Sequence, residues 1–180
     1  MIQRRTLLGA TAVAPLAALT GCASQNLAGY ASEKPVLDLT RYFNGTVDAH
    51  GIFQGRSGQI ARCFTVVMEC SAKGNEGVLD EAFTYSDGTT QRRIWRLTKH
   101  ADGHYTGTAD DVVGTARGQT QGNAFRWGYT LALPVDGKVY HVDFDDWMYL
   151  IDERVMLNRA TMSKFGVRLG EITLSFTKRT

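Results

Sequence analysis

From residue 45 to the end of the chain, apolar and polar side chains alternate with a period of two. In 122–148, GNAFRWGYTLALPVDGKVYHVDFDDWM, the apolar residues Phe125, Trp127, Tyr129, Leu131 and Leu133 hold odd positions. Beyond Asp136-Gly137, Tyr140, Val142, Phe144 and Met148 hold even ones. Alternation puts each set on one face of a strand. A two-residue turn joins the two sets face to face, and a four-residue loop keeps the same parity. The shared face includes Asp146. Asp145 falls on the other face with His141 and Asp143, so the doublet is one inward and one outward acid.

Residues 79–97, LDEAFTYSDGTTQRRIWRL, repeat the theme. With Ser86-Asp87-Gly88 as a three-residue loop and Gly88 left-handed, Leu79, Glu81, Phe83 and Tyr85 share a face with Gln91, Arg93, Trp95 and Leu97. Glu81 then lies opposite Arg93 in an otherwise apolar patch. A two-residue turn would join that face to Arg92, Ile94 and Arg96 instead. The first register is preferred because it unites Phe83, Tyr85 and Trp95. Parity does not carry securely through the following segment, so Asp110 and Asp111 are not both placed.

Recurrent turn signals (Asp87-Gly88, Asp102-Gly103, Gly122-Asn123, Asp136-Gly137) separate strands expected at 45–55, 60–70, 77–86, 89–99, 104–120 with a break near Gly114, 123–133, 138–151, 154–163 and 167–178. No helical stripe follows residue 40 apart from a short turn near 37–42. The pattern predicts a single all-β domain over 41–180. Its architecture is an antiparallel up-and-down barrel or strongly curled sheet of 8–10 strands, with a sandwich as the alternative. A barrel of about this size either fills with side chains or holds one small ligand.

The start of the chain differs. Arg4 and Arg5 precede a short apolar run over 7–19, too short to span a bilayer, and the run ends at Leu19-Thr20-Gly21-Cys22. This has the parts of an export signal ending in a lipobox, in which Cys22 is acylated and becomes the new N-terminus. The Arg4-Arg5-Thr6-Leu7-Leu8 stretch also fits twin-arginine export. Ala23, rather than Asp, after the cysteine points to the outer membrane, facing the periplasm. Residues 23–40 are expected as a flexible tether with a reach of roughly 23 Å.

Removing the first 22 of the 180 residues leaves 158, enough for one domain with its own core. The chain holds 20 basic and 18 acidic residues, and Arg4 and Arg5 leave with the signal, so the remainder is formally neutral. A nucleic-acid binder normally shows a basic excess, which sets that class aside. Cys63 and Cys70 are seven positions apart, on opposite faces of one strand and about 23 Å from each other if it is unbroken. They are expected as free, mostly buried thiols, with a bridge as the alternative.

Five inward-facing residues beside Glu81 invite a binding role: Arg93, Trp95, Trp127, Tyr129 and Asp146. Arg93 fits a forked hydrogen bond to the carboxylate or phosphate of a lipid-like ligand. The competing reading is an ionic patch, with Glu81 neutralising Arg93, that only sets strand register. The Trp127 indole N–H lies near Asp146 and needs a partner when buried. Asn158, Arg159 and Lys164 interrupt an apolar strand and are candidates for a barrel mouth, or for an exposed basic edge. The acidic doublets Asp110-Asp111 and Asp145-Asp146 point to opposite faces and form no facing dyad for acid–base catalysis. His100 and His104 flank a turn where helical i, i+4 geometry does not apply, so no metal site is expected. With no Gly-x-Ser-x-Gly elbow and no P-loop, no cofactor is expected either.

The segments YFNGTVDAHGIFQGRSG, LDEAFTYSDG with RRIW, YTGTADDVVGTARG, NAFRWGYTLALPVDG, DFDDWMYLID and NRATMSKFGVRLGEITLSF resemble, in this order, the proteobacterial lipoproteins of the domain-of-unknown-function 3833 family. The resemblance covers nearly all of 40–178. It implies an envelope lipoprotein of lipocalin-like shape with no assigned activity. FNGTVDAHGIF is also loosely similar to the opening strand of calycin barrels, without the Trp usual there. The expectation is an outer-membrane-anchored periplasmic lipoprotein that binds a small hydrophobic or amphiphilic ligand. The alternative is a non-catalytic envelope assembly or scaffold lipoprotein with a solid barrel core and protein partners; an enzyme is the third reading.

Overall fold

A computed structural model describes residues 25–180. The expectations for the signal over 1–22 and for acylation of Cys22 lie outside the described residues. Ten strands follow one another: β1 (Gly45–Gly55), β2 (Ile60–Lys73), β3 (Glu76–Tyr85), β4 (Thr90–Lys99), β5 (His104–Thr108), β6 (Ala116–Gln121), β7 (Ala124–Val135), β8 (Lys138–Leu150), β9 (Val155–Lys164) and β10 (Val167–Lys178). Each pairs antiparallel with its chain neighbours, and β10 returns to pair with β1, so the sheet closes into a barrel. Of the predicted alternatives, curled sheet and sandwich give way to full closure, which leaves no unpaired edge strand.

Both predicted hairpin registers hold. Phe125, Trp127, Tyr129, Leu131 and Leu133 pair with Met148, Asp146, Phe144, Val142 and Tyr140. Leu79 pairs with Trp95, and Glu81 with Arg93, around a turn whose Gly88 has φ +80°. The segment predicted as one broken strand over 104–120 is two strands. Gly114, at φ +74°, turns the chain, and the loop over 109–115 leaves β4 to meet β7 through the bridge Val112↔Leu131. The β4–β5 ladder therefore covers only Arg96–Lys99 against Tyr105–Thr108, and residues 90–95 of β4 have no strand partner on that side.

One end of the barrel is plugged. The last part of the expected tether is not free but packed. Leu37, Leu39, Tyr42 and Phe43 are all buried in the main core. Three of these lie in or beside the short helix α1 (Leu39–Tyr42), capped by Asp38, whose side chain accepts from the Thr40 and Arg41 amides. A four-residue helix has no stability of its own. It persists here because each large apolar side chain it buries contributes about 1.5–3 kcal/mol. Polar ties fix it: Lys99 to Asp38 at 2.7 Å, the Tyr42 hydroxyl donating to the Arg154 carbonyl at 2.9 Å, and Lys178 Nζ donating to the Arg41 carbonyl at 2.9 Å. Upstream, Leu27–Tyr30 form a 3-10 turn, and Tyr30 stacks near Trp147 and Tyr149 on the outer wall. The Tyr30 carbonyl passes 1.7 Å from where a Cβ on Gly122 would sit, so only glycine fits that turn.

Candidate functional site

Alternation aims one residue in two into the barrel, and the inward set encloses a cavity of about 300 Å³. Phe43 and Leu39 form its floor, Phe64, Phe83, Trp95, Trp127 and Tyr129 its walls, and Phe53, Arg62, Tyr85 and Gln91 its upper part. The upper end is bounded by hairpin turns, and no helix covers it among the described residues. Gly107 and Gly118 make room for Trp127: a Cβ on either would meet the indole at 2.8 and 2.5 Å. The small residues opposite the aromatics are therefore seats for the ring, and the open volume lies inward of it. Trp95 meets Trp127 and Tyr129 edge-on at 5.6 and 5.3 Å between ring centroids.

Within this apolar lining sits a polar cluster drawn from six elements. Glu81 (β3), Arg93 (β4), Asp111 (loop after β5), Tyr129 (β7), Asp146 (β8) and Asn158 (β9) converge. Arg93 is held chiefly by Asp111, not by Glu81 as expected. Its Nε lies 3.0 Å from both Asp111 oxygens and its Nη2 2.7 Å from Oδ2, a forked pair, while Glu81 Oε2 is 4.0 Å from Nη1. Burial opposes the Arg93 charge, but the Asp111 hydrogen bonds, with the charges of Glu81 and Asp111, outweigh it and raise the pKa. Glu81 makes no hydrogen bond to another described side chain. Its carboxyl is pushed up to about 7, first by burial and then by the nearby Asp111 and Asp146, with Arg93 pulling the other way.

Asp146 is 5% exposed. It accepts from the Tyr129 hydroxyl at 3.2 Å and, at close range, from Asn158 Nδ2, which also reaches the Trp147 carbonyl. The donors are thus Tyr129 and Asn158, not the expected Trp127 indole. Burial raises Asp146 to about 7 although both hydrogen bonds hold it down. Burial and Asp146 likewise lift the Tyr129 phenol well above its ordinary range, so it stays a donor.

The three residues expected at a mouth separate. Asn158 is buried beside Asp146. Arg159 points outward and pairs with Glu171 at 2.7 Å. Lys164, at the β9–β10 turn, reaches the upper rim, with its ammonium 5.2 Å from the Tyr140 ring and 5.0 Å from that of Phe165. Asn158 was legible in principle, since Met156, Asn158, Ala160 and Met162 hold one parity of β9. Cys63 is exposed and Cys70 buried, both free; Cys63 lies outside because β2 is unbroken and the two fall on opposite faces. His100 turns to Thr106 and His104 to Asp102, each with its own partner.

Residues 16–178 match the family model described as protein of unknown function (DUF3833). The chain belongs to the DUF3833 family. No curated protein matches the sequence. In three dimensions this DUF3833 chain is similar to the S-type phycobiliprotein lyase CPES from Guillardia theta. The TM-score is 0.59 at 6% sequence identity, over 79% of this chain and 90% of that one. It is also similar to a protein of unknown function of the DUF3598 family from Nostoc punctiforme. There the TM-score is 0.50 at 11% identity, over 82% of this chain and 51% of that one. At such identities the likeness is one of fold, a lipocalin-like barrel.

Proposed function

We propose that this DUF3833 protein is a binding module of the bacterial envelope, anchored through an acylated Cys22 at the outer membrane and facing the periplasm. Its barrel holds a small hydrophobic or amphiphilic molecule. The cavity carries this reading. Its volume of about 300 Å³ falls at the lower end of small-molecule sites, about 300–1,000 Å³. A scaffold with a solid core would fill that volume, because side chains facing a void forfeit their dispersion contacts. The barrel likeness is consistent with binding. Gln25 hydrogen-bonds Tyr30 and Tyr149 on the outer wall, beside Arg126, Asp145 and Glu171.

Native mass spectrometry of the C22A protein, exported in its host and purified without detergent, tests the binding. A retained small molecule that the neutral apolar probe N-phenyl-1-naphthylamine displaces is the expected result. A barrel that carries nothing and takes up no probe would overturn it. The anchor is tested separately by mass spectrometry of the N-terminal peptide of the membrane-bound wild type: Cys22 as first residue carrying acyl chains is expected, and an unmodified residue 22 would refute acylation there.

A further inference from the structure

The cavity's polar cluster is unbalanced. Glu81 and Asp146 bring two carboxyl groups to the lining, Arg93 is the guanidinium beside them, and Asp111 pairs with Arg93 from behind the lining. The forked bond commits Arg93 to Asp111. Asp146 has two neutral donors, Tyr129 and Asn158, and no cation. Glu81 has only the 4.0 Å approach of Arg93. Other charges lie further out or are already paired: Arg62, near the open end, bonds Asp87, and Lys164 sits over aromatic rings at the rim. An anionic head group would therefore bring a further negative charge to two acids lacking a full partner, and it would have to displace Asp111 to reach Arg93.

A cation meets the opposite situation. Trp95, Trp127 and Tyr129 crowd the same level of the cavity, with ring centroids 5.3–6.4 Å apart. Trp95 meets the other two edge-on and Tyr129 lays one face on Phe144; a ring face left free toward the cavity attracts a positive head. We infer that the ligand is an amphiphile with an apolar body and a protonated amine head, the head seated between Glu81 and Asp146 and against these rings. The inference rests on the proposed binding role and specifies the chemistry of its ligand. It reverses the expectation, drawn from Arg93 alone, of a carboxylate or phosphate head.

Charge balance then couples binding to protons. In the empty barrel burial holds protons on Glu81 and Asp146 near neutrality. An ammonium arriving beside them favours the ionised forms, and the released protons pass to solvent. Amine affinity should therefore rise with pH, and anion affinity should fall.

The test uses the full chain carrying C22S, titrated with decylamine, decanol or decanoate. Intrinsic fluorescence reports binding, because Trp95 and Trp127 line the cavity. At about pH 8.5 decylamine should bind at least about tenfold tighter than decanoate, and the gap should narrow at about pH 5.5. In the E81Q/D146N double variant the amine-to-decanoate ratio should fall towards one. Equal or tighter binding of decanoate by wild type at about pH 8.5, or an amine preference that survives in the double variant, would overturn the inference and leave the binding role intact. Failure of all three probes to bind would overturn both. The wild-type pH profile decides the matter even if the variant does not fold.

Discussion

Two acid–arginine pairs sit one residue apart on β3 and β4 and face opposite sides of the wall. Outside, Asp80 takes a two-pronged bond from Arg92 at 2.7 and 2.5 Å, and its carboxyl is held below the usual range by that bond. Inside, Glu81 faces Arg93 at 4.0 Å and is pushed up to about 7. The β7–β8 hairpin repeats the contrast. Asp145 meets Arg126 on the surface, and Asp146, its neighbour, is buried against neutral donors. The balance of partner and burial sets each carboxyl: outside, the forked Arg92 bond outweighs desolvation, and inside, desolvation outweighs an arginine held 4.0 Å away by Asp111. In water a facing arginine is enough to keep an acid ionised. Behind the wall desolvation outweighs it.

The largest break in this comparison should come from arginine. Removing Arg93 (R93A) leaves the largely buried Glu81 and the half-buried Asp111 without their cation and should lower stability by about 3 kcal/mol. R92A should leave the urea midpoint close to wild type. Equal effects would show that the inner cluster is as hydrated as the outer one.

The next test is pH. The folded-state pKa values of Glu81 and Asp146 are raised above their unfolded values. Their contribution to stability is thus fully present below about pH 4 and lost as pH rises through about 7. On the order of 3 kcal/mol is lost per group. Denaturation across that window should flatten in E81Q and D146N. Asp80 carries the opposite sign: its pKa is lowered, so its contribution is present above the ordinary carboxylate range and lost as pH falls through the lowered value.

Glycines sharpen the contrast at smaller amplitude. A Cβ on the inner Gly118 would meet Phe125 and Trp127 at 2.5 Å, and one on the outer Gly128 meets only the Arg117 carbonyl, at 3.9 Å. G118A should destabilise by about 1–3 kcal/mol, as overpacking does, and G128A should be tolerated. Both are read from thermal melts. The smallest signal is chemical. Native protein should be alkylated by iodoacetamide at Cys63 and spared at Cys70, whose thiol burial pushes up to about 12. Mass mapping after a short pulse distinguishes them.

How much of this was legible follows from where period two holds. The β7–β8 and β3–β4 registers were readable because apolar residues kept one parity through each strand, and that parity put Asp146, Glu81 and Arg93 inside. Asp111 was not readable, because Gly114 breaks the alternation and the loop carries its acid inward along no strand. The tether expected over 23–40 misled by composition. Ala, Ser, Gln and Asn spoke for a linker, yet Leu37 and Leu39 at its end, with Tyr42 and Phe43 just beyond, plug the barrel. The partner of Asp146 lay within reach of the pattern. Asn158 shares the parity of Met156 and Ala160, but its polarity invited placement at a rim.

The short β4–β5 ladder gives the Arg93–Asp111 bridge a second role. Around most of the circumference, admitting a guest from the side would mean tearing backbone hydrogen bonds. Residues 90–95 of β4 have no strand partner on that side, and the Arg93–Asp111 salt bridge ties this stretch to the 109–115 loop, which is itself bonded to β7. Along that stretch the wall hangs on an ion pair where its neighbours hang on a ladder.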